Sequence, residues 1–74
     1  MARKSAIPIR DNNKLRVDVK SGTAERTLPS GETLVLERVP SGKYEVSCWR
    51  ENGDNHWVKH FDFFDEAVDE FRRW

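Results

Sequence analysis

The sequence predicts an α+β domain: a small antiparallel β-meander of three to five strands, packed by one C-terminal amphipathic helix. Three observations lead there. Turn-forming clusters recur around Gly22, Gly31, Gly42 and Gly53, nine, eleven and eleven residues apart, which is the spacing of a meander. Between them lie stretches in which apolar and polar residues alternate. After Phe61 the apolar period changes to that of a helix. Strands first and a helix last is the α+β order.

The elements follow in turn. Ile7–Arg10 is a candidate edge strand. Lys14–Lys20 sets Leu15, Val17 and Val19 against Lys14, Arg16, Asp18 and Lys20, the pattern of a half-buried strand. Thr23–Leu28 is a weaker strand. Thr33–Val39 opens with Leu34-Val35-Leu36 and suits a central strand. Tyr44–Arg50 places Tyr44, Val46 and Cys48 on one face, and Glu45, Ser47 and Trp49 on the other. His56–Asp62 sets Trp57, Lys59 and Phe61 opposite His56, Val58 and His60. In Pro29-Ser30-Gly31 and Pro40-Ser41-Gly42 the proline pre-sets φ, and the glycine takes the position that needs φ > 0. The segments around these two turns resemble each other at an 11-residue offset. Phe64, Ala67, Val68, Phe71 and Trp74 then mark one helix face. Asp62 or Asp65 caps its start, Asp65 and Glu66 fill the first turn, and Arg72 and Arg73 fill the last, complementing the helix dipole.

Seventy-four residues make one domain that buries only ~60% of its unfolded surface. Residues 1–13 read as a basic arm or an edge strand, and residues 14–74 as the domain proper. Three Trp, four Phe and one Tyr concentrate the core material, each burying on the order of 150–250 Å². The single cysteine, Cys48, forms no internal disulfide, which fits a reducing compartment. Neither a signal peptide nor a membrane span is expected, so the expected location is cytoplasmic. Thirteen basic and thirteen acidic side chains cancel, yet residues 1–32 carry seven against four and residues 61–74 carry two against five. The basic excess typical of nucleic-acid binders is missing.

Candidate chemistry is sparse, and no enzyme is expected. Cys48 shares its face with Tyr44 and Val46 and reads as core. His56 and His60, four apart on a strand, stand about 13 Å from each other, too far to share a metal. The acids Asp62, Asp65, Glu66, Asp69 and Glu70 read as the solvated face of the helix. No phosphate loop, nucleophile elbow or zinc-protease motif is present. No cofactor and no metal are expected. If Val46, Cys48 and Val58 face the helix, then Trp49, Trp57 and Lys59, with Ser47 and Arg38, populate the other face as a recognition platform.

Residues 42–71 carry a further pattern. Gly42-Lys43-Tyr44 opens a strand, Trp57-Val58 and Phe61-Asp62 follow, and then Glu66-Ala67 and Phe71. This resembles the end of an AP2/ERF-type DNA-binding domain, the sheet-plus-helix module also found at the N-termini of many phage integrases. The resemblance implies an open sheet face that grips the DNA major groove. It puts Ser47 and Trp49 at second-strand contact positions and Trp57 at a typical contact.

Two readings of function result. The favoured one is a non-enzymatic module with a protein partner, placed by its size and the integrase-like resemblance among accessory or inhibitor proteins of phages or mobile elements. The alternative is a DNA-binding domain using the sheet face, with Arg3, Lys4, Arg10, Lys14 and Arg16 reaching the phosphate backbone. No membrane partner is expected.

Overall fold

A computed structural model describes residues 14–74. The expectations for residues 1–13, including the edge strand at Ile7–Arg10, lie outside the described residues. From residue 14 on, helix α1 runs to residue 21. Then come β1 (Thr23–Thr27), β2 (Thr33–Arg38), β3 (Tyr44–Trp49), β4 (Asn55–Phe61) and helix α2 (Phe64–Arg73). The four strands form an antiparallel sheet in sequence order.

Three loops of one design make this meander. Gly31 N–H donates to Leu28 O at 2.9 Å and Leu28 N–H to Glu32 O at 2.7 Å. Val39 to Lys43 and Arg50 to Asp54 repeat both bonds. Gly31, Gly42 and Gly53 each close their loop at positive φ, between 94° and 96°, the left-handed step that follows a type I turn in a three-residue hairpin loop. In the third loop Asn52 replaces the serine of the Pro-Ser-Gly pair, and its Oδ1 accepts from Asp54 N–H at 2.9 Å.

Register puts Ala24, Leu36, Val46 and Lys59 in one cross-strand row, and Arg26, Leu34, Cys48 and Trp57 in the next. These residues face α2, which crosses β2, β3 and β4. Leu34, Leu36, Val46 and Cys48 meet Phe64, Ala67, Val68 and Phe71 in the core. Tyr44 and Phe64 pack edge to face at 5.4 Å, an arrangement favoured by the ring quadrupoles. Arg26 donates to Phe71 O at 2.6 Å and so satisfies a carbonyl at the end of α2.

Residues 14–21 are helix, not strand. Leu15 and Val19 turn toward the core while Val17 is 63% exposed. The alternation Leu15, Val17, Val19 contains an i, i+4 pair, and the small side chain of Ala24 on β1 leaves room beside α2 for a second helix. Ser21 Oγ–H donates to Val17 O at 3.1 Å and Gly22 N–H to Val19 O at 3.2 Å, closing the last turn.

The start of α2 also differs from expectation. Its N-cap is Phe63, with no side-chain cap bond. Asp62 instead pairs with Lys43 at 3.1 Å, and Asp65 with Arg16 at 3.7 Å. Nor is Glu70 solvated. It is buried, with Oε2 accepting from Lys59 Nζ at 2.9 Å and from Trp74 Nε1 at 3.1 Å.

Candidate functional site

Both helices cover one face of the sheet, and no described residue outside the strands covers the other. Read across the strands, the open face has three rows: Thr23, Glu37, Glu45 and His60; Glu25, Val35, Ser47 and Val58; and Thr27, Thr33, Trp49 and Asn55. Trp49 Nε1–H donates to Ser47 Oγ at 2.9 Å, which lays the indole along its own strand and leaves Ser47 buried beneath it. Trp49 remains 39% and Val58 43% exposed. An apolar strip of Val35, Val58 and Trp49 therefore crosses the middle of the face.

Charge on this face is acidic. Glu25, Glu37 and Glu45 stand on it, His60 is its one histidine, and no Lys or Arg lies on it within the strands. A shared hydrogen bond with Glu45, partial burial and the Glu45 charge hold the Glu37 carboxyl above its ordinary value. His60 Nε2 sits 2.9 Å from Glu45 Oε1.

The residues read from the sequence as one platform are divided between the faces. Trp49 and Ser47 lie on the open face. Trp57 and Lys59 lie on the helix-bearing face, where Trp57 stands 6.0 Å from the Trp74 ring and Lys59 Nζ 5.1 Å from the Trp57 ring. Arg38 shares that face and reaches over Tyr44 at 6.0 Å. The cause is the phase of β4. Burying Trp57 and Phe61 removes more apolar surface from water than burying Val58 between two histidines. The Lys59 stem then lies along Trp57 while Glu70 neutralises its ammonium.

Of the basic residues, Arg3, Lys4 and Arg10 lie outside the described residues. Lys14 pairs with Asp18 at 3.4 Å on α1. Arg16 covers the Phe64 ring at 4.3 Å. With Lys20, which the sequence reading passed over, Arg16 and Arg38 edge a groove of about 600 Å³ floored by Tyr44 and Phe64.

A second cluster also escaped the sequence. β4 carries a bulge opposite Cys48 and Trp49, with Trp49 facing Asn55 and Cys48 facing Trp57. His56 is the extra residue, and a bulge re-aims its side chain. His56 Nδ1 lies 2.8 Å from Glu32 Oε2, and donor atoms of Glu32, Cys48 and His56 all fall within 4.8 Å of one another. The His56 hydrogen bond holds the Glu32 carboxyl below its ordinary value, while burial and the nearby Glu32 carboxylate push the Cys48 thiol up. A buried, protonated thiol next to an acid is a poor nucleophile, so the trio does not make a cysteine-hydrolase arrangement.

No protein-family model matches the chain, and neither a curated protein nor a solved structure matches it. Among the described residues no helix is long and apolar enough to cross a membrane.

Proposed function

We propose that the protein is a cytoplasmic, non-enzymatic binding module that engages a basic protein surface through the open face of its sheet. The observation that carries this is the pairing of exposed Trp49 and Val58 and half-buried Val35 with Glu25, Glu37 and Glu45 on a face where the strands place no Lys or Arg. A tryptophan amid small apolar neighbours is the usual core of a protein-binding hot spot. The crowding of Glu37 against Glu45 favours a partner's Arg or Lys between them, because that cation relieves the repulsion. The acidic face opposes self-association through this surface, so the partner is a different chain. A place among phage or mobile-element accessory proteins belongs to this reading and rests on the size of the chain and the integrase-like resemblance.

The DNA-binding alternative draws on residues 42–71. Direct use of the open face would bring Glu25, Glu37 and Glu45 against phosphate, which is electrostatically unfavourable. The backbone contacts of this alternative are Arg3, Lys4, Arg10, Lys14 and Arg16; among the described residues, Arg16 edges the groove on the other side with Lys20 and Arg38.

Titration of isotope-labelled protein separates the readings. Peptides alternating Arg with Leu or Phe should shift the amides of Val35, Trp49 and Val58. Trp49→Ala should weaken that binding by roughly 30-fold, the equivalent of a ~2 kcal/mol hot spot. Shifts confined to α1 and the β2–β3 loop with duplex DNA, weakening steeply with salt, would replace this reading by the alternative.

A further inference from the structure

We propose that Glu32, Cys48 and His56 form a binding site for one borderline divalent cation, zinc above all, with a fourth coordination position left to water. The three donors come from the residue before β2, from β3 and from the bulge of β4, so only the folded sheet brings them together. Each is of a different kind: a thiol sulfur, an imidazole nitrogen and a carboxylate oxygen. That mixture suits zinc and excludes the all-oxygen preference of calcium and magnesium.

The distances are close to what the ion needs. Zinc bonds of ~2.0–2.3 Å in tetrahedral geometry set donor atoms roughly 3.3–3.6 Å apart. The three donors already lie within 4.8 Å of one another, with the His56–Glu32 pair at 2.8 Å. Glu32 and His56, 25% and 41% exposed, are the side chains whose rotation would adjust the spacing to the ion. The same exposure gives the ion a route in and a water its position. Cys48, 1% exposed, supplies the anchored ligand at the base of the site.

Outer support is present as well. Ser30 Oγ–H lies 3.3 Å from Glu32 Oε1, holding one carboxylate oxygen while the other turns toward His56, the kind of second contact that orients metal ligands. Besides packing in the core, the Cys48 thiol hydrogen-bonds the same Glu32 carboxylate that pairs with His56, so the three donors converge on one point. On binding, the Cys48 thiol loses its proton to solvent, and the cation takes over the charge that Glu32 and the thiolate would otherwise share.

Calorimetric titration of metal-stripped protein with zinc, run in two buffers of different ionisation enthalpy, tests the site. One equivalent should bind with release of a proton, and cobalt in its place should show sulfur-to-metal charge transfer. His56→Ala and Cys48→Ser should each weaken zinc binding by more than ~100-fold, beyond the 10–100-fold that loss of an outer contact costs. Glu32→Gln should weaken it less, and His60→Ala not at all. Because Cys48→Ser alters the core, the half-exposed His56→Ala, with its fold checked by circular dichroism, carries the decision. No zinc binding at micromolar concentrations, or binding that survives in folded His56→Ala, overturns the proposal.

Discussion

On the helix-bearing face of the sheet, Leu34, Leu36, Val46 and Cys48 lie under two helices, and the three charged strand residues there are engaged: Lys59 with Glu70, Arg26 with the end of α2, and Arg38 over the Tyr44 ring. On the open face, Val35, Trp49 and Val58 stand among glutamates, and Glu45 faces both His60, at 2.9 Å, and Glu37. The two faces share one backbone and one set of loops. What separates them is how far the helices cover each. On the covered face Lys59, Glu70 and Arg26 each have a partner, as the cost of burying an unpaired charge requires. The open face leaves apolar surface and negative charge to be completed from outside.

Substitutions should break this contrast in graded steps. Leu36→Ala, at a fully buried position, should lose ~2–5 kcal/mol to lost transfer energy and the cavity left behind. In a domain of this size that consumes most of the stability, and a urea midpoint will show it. Replacing Glu70 by Ala should cost ~1–3 kcal/mol, because the Lys59 ammonium and the Trp74 indole N–H lose their common acceptor. Trp49→Ala should cost less than ~1 kcal/mol of stability, while weakening the proposed peptide binding roughly 30-fold. Equal destabilisation by Leu36→Ala and Trp49→Ala would show that the open face is a second core and not a docking surface.

Acid should sharpen the contrast, with opposite signs on the two faces. Burial alone would raise the Glu70 carboxyl, but the hydrogen bonds from Lys59 and Trp74 and the charges of Lys59 and Arg73 outweigh it and hold the carboxyl below 4.5. Its contribution is present above the unfolded value and is lost as pH falls through the lowered folded one. Glu37 is raised above 4.5 by its hydrogen bond to Glu45, by burial and by the Glu45 charge. Its contribution is present below the unfolded value and is lost as pH rises through the raised folded one. Urea midpoints measured through the acidic range should therefore lose their fall at low pH in Glu70→Gln. They should lose a decline above 4.5 in Glu37→Gln. If Glu37→Gln leaves the profile unchanged, the two carboxylates do not interact.

Much of this was legible in the residues and some was not. The loops at Gly31 and Gly42 follow from Pro-Ser-Gly, because proline and glycine restrict and permit φ locally. β2 falls where the apolar run Leu34-Val35-Leu36 places it and β3 where alternation does, and α2 follows from the spacing of Phe64, Val68 and Phe71. Residues 14–21 went the other way, since Leu15, Val17 and Val19 satisfy a strand and Leu15 with Val19 satisfies a helix. Local pattern does not choose between them. The candidate face was half legible: Ser47 and Trp49 were placed with Glu45, but Trp57, Lys59 and Arg38 were assigned to the wrong side. The Glu32–Cys48–His56 cluster carried no signal in the chain, because its members are 16 and 8 residues apart and only the bulge turns His56 to meet the others.

The sequence by itself determined the meander, its turn chemistry and its closing helix, all set by interactions between residues close along the chain. Tertiary structure alone decided which side of β4 is buried, what Glu70 does and where α1 lies. Those choices compare the apolar area and charge pairing available across the sheet, and such comparisons exist only once the strands are in register and the helices lie on them.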